Sequence, residues 1–369
     1  MPNVRRTQSI ATVTATYART MQDSLSLDVP VVNSQFGVSA LAGGPVDPTR
    51  TSGVGDIFLT YRRWLTPVPY FPDSSPGWRH NVSVGIGLKL PTGNTNAQDR
   101  SADITGAARI LRDMDITSQP GDGGVGVLVD AQGFRSLGKS TLFFSAAYLI
   151  SPRDTNGTLS LTSNLFGAAN VPRRVRHNSV PDQFSALVGI AKPIRRMRGL
   201  SGSLALRVAG VPPSDLIGGS DGFRFAGYGI AIEPGLSYSR GPNTLQVSAP
   251  VVLHRRAFDT DIVPGRDFVS FAPFQVTLQL THRFGKGGKG GASRTKRAAP
   301  HDDAPPEPAR ERPDANPPCI PVSATPPCML EWENDLALPA AAGCNGSPCA
   351  AWCGDNGDTG YLEAGDRNE

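Results

Sequence analysis

The first 318 residues of this 369-residue chain contain no cysteine. The body can therefore hold no disulfide framework and no thiolate-ligated metal. Long apolar runs are also missing. No stretch approaches the 18 or so residues that a transmembrane helix needs. Charged residues make up only 18% of the chain, and the net charge is +4. The cations are scattered along the body, so nucleic acid is not an expected partner. The opening MPNVRRTQSIATVTATYART has basic residues but no apolar core, and it does not read as a signal peptide. The mean hydropathy of −0.22 does not exclude a membrane. Strands of a transmembrane barrel alternate lipid-facing and lumen-facing residues, so their average hydrophobicity is low.

What the chain does have is alternation. In NVSVGIGLKL (81–90), Val82, Val84, Ile86, Leu88 and Leu90 share one face, and Asn81, Ser83, Gly85, Gly87 and Lys89 share the other. TLFFSAAYLI (141–150), SLALRVAG (203–210), YGIAIEPGLSYS (228–239) and TLQVSAPVVL (244–253) repeat the pattern. Weaker segments at 9–19, 23–32, 54–65, 122–136 and 182–194, together with 267–284, bring the expected strands to eleven. Many are ten residues or longer, which exceeds the usual globular strand and matches the ~9–11 residues of a membrane-spanning one. The face opposite the apolar one is rich in Gly, Ser, Thr and charge, and suits a polar space better than a second packed sheet.

Connection lengths give an independent signal. The links 20–22, 137–138, 195–199 and 240–243 are short. Those at 33–53, 91–121, 151–181, 211–226 and 254–266 are long, and 66–79 is a medium member of the short set. Outer-membrane barrels sort their connections into short periplasmic turns and long extracellular loops. The expected fold is therefore all-β: an antiparallel up-and-down transmembrane β-barrel, about eleven strands here, spanning 1–284. An open sheet cannot span lipid, and bacterial barrels use even strand numbers. Twelve strands are accordingly expected in a full-length chain, with a first strand and a signal peptide upstream.

GVGDIFLTYRRWL (53–65), VSVGIGLKLPTGN (82–94), QPGDGGVGVLVD (119–130), IEPGLSYSR (232–240), SAPVVL (248–253) and THRF (281–284) together resemble a bacterial outer-membrane barrel family. The family is named for the meta-pathway of phenol degradation and is also described as transporter-like. The resemblance covers roughly 50–284 and rests on the order of short Gly-rich motifs. It implies passive passage of small solutes, including hydrophobic or aromatic ones. It also implies outer-membrane lipids and the barrel-assembly machinery as partners, with Leu278, Leu280 and Phe284 in the barrel-closing signal.

On the lumen parity stand Asp28, Asp56, Arg62, Lys89, Asp130, Arg207, Glu233 and Arg283. They read either as a mixed-charge pore lining or as an ion-pair network filling a narrow lumen. Twelve strands lie between a side-chain-filled barrel and an aqueous channel, so a pore and a plugged structural or adhesive barrel both stay open. Tyr17, Tyr61, Trp64, Tyr148, Tyr238, Phe274 and Phe284 fall near strand ends or outer faces, as interfacial girdles do. A stacking platform for aromatic solutes would need them in the lumen.

Gly121–Gly126 matches GxGxxG in form, but a strand rather than a helix follows it, so no dinucleotide cofactor is expected. His80, His177, His254 and His282 are dispersed and no nucleophile motif accompanies them. No catalytic site, metal or other cofactor is expected. The stretch GKGGKGGASRTKR (285–297) reads as a linker. Residues 285–369 hold 12 of the 33 prolines and all five cysteines. They read as a largely disordered tail with a short helix near 329–338.

Overall fold

A computed structural model describes residues 4–20, 22–38, 47–66, 80–102, 109–160, 163–164, 167–194, 196–258 and 272–284. The tail, its cysteines and the linker lie outside the described residues. The chain is all-β. Its strands are β1 (Val4–Ala18), β2 (Asp23–Val38), β3 (Asp47–Val54), β4 (Ile57–Trp64), β5 (His80–Leu90), β6 (Gln98–Ala102), β7 (Arg109–Asp113), β8 (Gly126–Leu137) and β9 (Ser140–Ile150). They continue with β10 (Thr155–Leu159), β11 (His177–Ser179), β12 (Gln183–Pro193), β13 (Leu200–Val211), β14 (Gly227–Arg240), β15 (Asn243–Ser248), β16 (Val251–Ala257) and β17 (Thr277–His282).

One sheet carries the fold. Its order is β1-β2-β4-β5-β8-β9-β12-β13-β14-β15-β17, and every pairing between neighbours is antiparallel. The eleven-strand path curls into a half-barrel. β3 continues the line of β4 along β2, and β16 continues the line of β15 along β14. Each of the eleven expected strands therefore has a counterpart. Because the path has an odd number of antiparallel members, its two edge strands, β1 and β17, run in the same direction. No described strand joins them.

Several boundaries differ from expectation. β1 starts at Val4 rather than residue 9, and β2 runs on to Val38. The connection expected at 33–53 thus shrinks to 39–46, shorter than 65–79, and the sorting of loop lengths fails at this pair. β8 starts at Gly126 rather than 122, because the residues before it are drawn into the lumen. β17 covers only the later part of the expected 267–284, and 259–271 lie outside the described residues. The expected 54–65 strand is interrupted at Gly55–Asp56. Thr49 and Thr51 are buried in β3, whereas Phe58 and Thr60 are buried in β4. The buried parity switches from odd to even across the interruption, which is the effect of an extra residue in one strand of a pair.

Burial across the wall is inverted relative to a water-soluble sheet. In β5, Ser83 and Lys89 are buried while Val84, Ile86, Leu88 and Leu90 are exposed. In β2, Ser26 and Asp28 are buried and Leu25, Leu27 and Val31 are exposed. The same holds for Glu233 and Ser237 against Leu236 and Tyr238 in β14. Scattered exposed apolar residues are ordinary on a protein surface, but a continuous apolar face outside a polar interior is not. Among the described residues no helix is long and apolar enough to cross a membrane.

The connections beyond the long-loop end carry their own structure. β6 pairs with β7, and β10 pairs with β11. Three 3-10 turns occur among the described residues. Ile116–Ser118 forms one of them, with the Asp115 carboxylate accepting from the Thr117 N–H at its start.

Candidate functional site

Met114–Asp122 is buried throughout and turns into the barrel rather than away from it. Its neighbours are lumen-side residues. A Cβ on Gly53 would meet the Pro120 ring at 3.3 Å, and one on Gly55 would lie 2.9 Å from the Pro120 carbonyl and from the Pro30 ring. Gly93 and Gly121 pass even closer. A Cβ on Gly93 would sit 2.6 Å from Gly121 Cα, and one on Gly121 would sit 2.6 Å from Asp56 Oδ1. Glycine is thus required where the segment crosses the wall.

The segment is held by charge. Lys89, on β5, donates to Asp122 and lies 3.8 Å from Asp56 Oδ2. Asp56 accepts from the Gly93 N–H at 3.0 Å and from the Asp122 N–H at 3.2 Å. Asp122 accepts in turn from the Gly124 N–H at 2.9 Å. The strand interruption at Gly55–Asp56 aims this carboxylate inward. Thr92 secures it by donating to the Gly55 carbonyl at 2.8 Å and accepting from the Ile57 N–H at 3.1 Å. Gln119 ties the two ends of the loop, donating to the Ala97 and Met114 carbonyls and accepting from the Ala97 N–H. A cation between two carboxylates, all buried, is stable only while each partner is present.

A second pair lies deeper. Arg62 meets Asp130 through Nε–Oδ1 at 3.0 Å and Nη2–Oδ2 at 3.1 Å, the bidentate form that fixes geometry best. Arg207 donates from Nε to Glu233 Oε2 at 2.6 Å. Asp28 accepts from Thr14 Oγ1 at 2.5 Å. Of the eight charges expected in the lumen, Asp56 and Lys89 come together at the long-loop end, Arg62 with Asp130 and Arg207 with Glu233 as wall pairs, and Asp28 on a hydroxyl. Arg283 is exposed beside the open edge at β17. Lys89 is a tether more than a lining residue, with its side chain only 2% exposed, whereas Arg207 keeps 27%.

The interior is not uniformly polar, contrary to the expected Gly, Ser, Thr and charged face. Phe58, Leu128 and Leu149 form one buried apolar cluster. Phe143, Ala191 and Ala205 form a second, with Phe134 and Leu187 against it. Trp64, expected in an outer girdle, packs edge-on against Phe134 at 5.9 Å between ring centroids. Tyr17, Tyr61, Tyr238, Phe274 and Phe284 are exposed, as the girdle requires. A cavity of about 30 Å³ lies between Pro30, Phe58, Lys89, Pro120, Leu149 and Gln183, room for a water or two.

A third set of charges locks the connections at the long-loop end. Arg224 grips Asp215 with two bonds of 2.7 Å. Asp215 accepts from the Asp182 N–H at 2.9 Å, and Asp182 accepts from Ser151 and Leu216 N–H, each at 2.7 Å, and from the Tyr148 hydroxyl at 3.0 Å. Thr158 reaches the Thr95 carbonyl at 2.8 Å, and Arg153 the Gly123 carbonyl at 2.6 Å. The loops after β5, β9 and β13 are thereby joined. Sequence reasoning missed Asp122, Asp182, Asp215 and Arg224, because loop residues carry no periodicity that would mark them as buried.

No group of His, Cys, Asp and Glu arranged to hold a metal occurs among the described residues. No protein-family model matches the chain, and no curated protein matches it either.

Proposed function

We propose that this chain forms an outer-membrane barrel that passes small solutes through a narrow lumen, past the inward-folded Met114–Asp122 segment. The observation that carries this reading is the inverted wall: apolar residues face outward and ion-paired polar residues face inward along the same strands. Such a wall is favourable in a bilayer, where the outer face meets lipid and the polar face meets water or protein. Membership in the phenol-degradation-type barrel family belongs to the same reading. The half-buried Phe134 and Trp64 on the inward parity support small apolar or aromatic solutes over large polar ones. Catalysis has no part in this proposal.

A second reading, a plugged structural barrel acting through its outer loops, is favoured by one specific observation. Met114–Asp122 is wholly buried and tied to the wall through Lys89. Single-channel recording in planar bilayers separates the two. The transport reading expects a small, steady conductance, and liposomes that admit a phenol-sized solute faster than a disaccharide. Silence from inserted, heat-modifiable protein would establish the plug.

A further inference from the structure

The outward face ends in a repeated sequence at the short-turn rim. Tyr17-Ala-Arg19 closes β1, Tyr61-Arg-Arg63 closes β4, and Tyr238-Ser-Arg240 closes β14. In each, the tyrosine is exposed on the apolar outer face, and the cation two residues on shares its parity. Strand geometry places that cation about 7 Å beyond the tyrosine. β8 and β12, which run the same way, end alike, with exposed Arg135 and Lys192 at the outward parity. Five of the six strands that run toward this rim therefore place a cation just past the apolar band. The sixth, β17, places His282 there.

The rim is one-sided in charge. The turns add exposed Lys139, Arg196 and Arg198. Among the described residues, Asp23 is the one acid at this rim, 3.4 Å from Arg63. The opposite rim mixes signs, with exposed Arg50, Arg153, Arg174 and Asp221 and a half-buried Asp99.

We infer that the short-turn rim is a binding belt for anionic phospholipid headgroups, of the phosphatidylglycerol kind. The inference rests on the membrane reading above. The strand-end cations stand on the outward parity, not the lumen parity. They flank the apolar band from outside, at the depth where acyl chains give way to headgroups. Interfacial tyrosines and snorkelling Arg and Lys occupy that zone. A soluble acidic protein would be served by the turn cations alone, whereas here five more stand beside the apolar face. Lipid-facing cations at this depth gain from each anionic headgroup they meet.

The test places the full chain in nanodiscs of equal phosphatidylglycerol and phosphatidylcholine, then counts retained lipids by native mass spectrometry. Wild type is expected to retain the anionic lipid at least about five-fold over the neutral one, the factor that one well-placed cation supplies. R19Q/R63Q/R135Q/K192Q/R240Q should abolish that preference, and R255Q/R256Q at the other rim should keep it. Should the quintuple variant lose its heat-modifiable gel shift, the single variants R19Q and R240Q carry the test, each expected to lower the ratio. Equal retention by wild type, or a preference that survives these substitutions, overturns the inference alone. Failure of wild type to enter these bilayers overturns the membrane reading and the inference with it.

Discussion

Arg62 and Asp130 stand on strands that are not neighbours, and their side chains meet across the backbone of Gly85 between them. Arg62 is paired in register with Gly85, and Gly85 with Asp130. A Cβ at Gly85 would lie 2.4 Å from Asp130 Oδ2, so the bridge exists because β5 has no side chain there. Gly85→Ala should displace the carboxylate and cost about 2 kcal/mol, the range for a hydrogen bond to a charged group. Denaturant unfolding followed by gel mobility measures it. The same substitution in an Asp130→Ala background should cost much less, since the displaced group is gone. Equal costs in the two backgrounds would show that Gly85 matters for another reason.

This bridge marks how far the sequence could be read. Alternation located all eleven strand positions, and it put Arg62 and Asp130 on the inner parity, because a two-residue period is a direct record of which face is polar. It could not pair them, since pairing depends on register across a glycine. Phe143 shows a second limit. Alternation sets Leu142, Phe144 and Tyr148 on the apolar face and Phe143 opposite, but it gives no sign that the inner face would bury this ring against Ala191 and Ala205. The interruption at Gly55–Asp56 was hidden because GVGD carries no mark of a parity switch. The inward course of Met114–Asp122 depends on charges on three separate segments, which no local pattern records.

The Lys89 tether predicts a gain of conductance. Lys89→Met leaves Asp56 and Asp122 facing each other without a cation, and breaking a buried pair in this way costs about 3–5 kcal/mol. The cost falls on the contact between Met114–Asp122 and the wall, so the segment should leave the lumen before the barrel unfolds. Asp122→Ala should act in the same direction more gently, because Lys89 keeps Asp56 at 3.8 Å. Both variants should show larger single-channel currents than wild type. Arg207→Glu, on the exposed part of the wall, should instead shift ion preference toward cations with little change in current. Wild-type currents in both tether variants would remove the segment from any gating role.

Asp115 predicts a pH dependence for the same segment. Burial pushes its carboxyl above the ordinary range, against the opposing Thr117 hydrogen bonds and the nearby Arg6. Its Oδ2 has no hydrogen-bond partner among the described residues. A carboxyl that holds its proton more tightly when folded stabilises the fold fully below its unfolded pKa of about 4 and loses that contribution as pH rises through the folded value. Protection of the Ile116–Ser118 amides from hydrogen exchange should therefore fall as pH climbs from 4, after correction for intrinsic rates. Asp115→Asn, uncharged throughout, should flatten the profile. An unchanged profile in the variant would assign the effect to another group.

The membrane reading makes its sharpest prediction on β5, where two exposed apolar residues sit at different heights. Ile86 is near the middle of the strand and Leu90 is its last residue at the long-loop end; they are 58% and 41% exposed. In water neither position would resist a charge, since an exposed strand residue tolerates substitution and arginine is soluble there. In a bilayer the cost depends on depth. An arginine near the midplane of a barrel costs about 2–4 kcal/mol, and one close to the interface about 0–1. Ile86→Arg should therefore lower folding stability in phospholipid vesicles severely, and Leu90→Arg should leave it nearly intact. Arginine is the right probe because its length allows snorkelling at Leu90 and not at Ile86. Equilibrium urea unfolding in vesicles gives both numbers. Two small and equal costs would mean that the apolar face does not lie against lipid, and that another apolar surface, from this chain or a second one, must cover it.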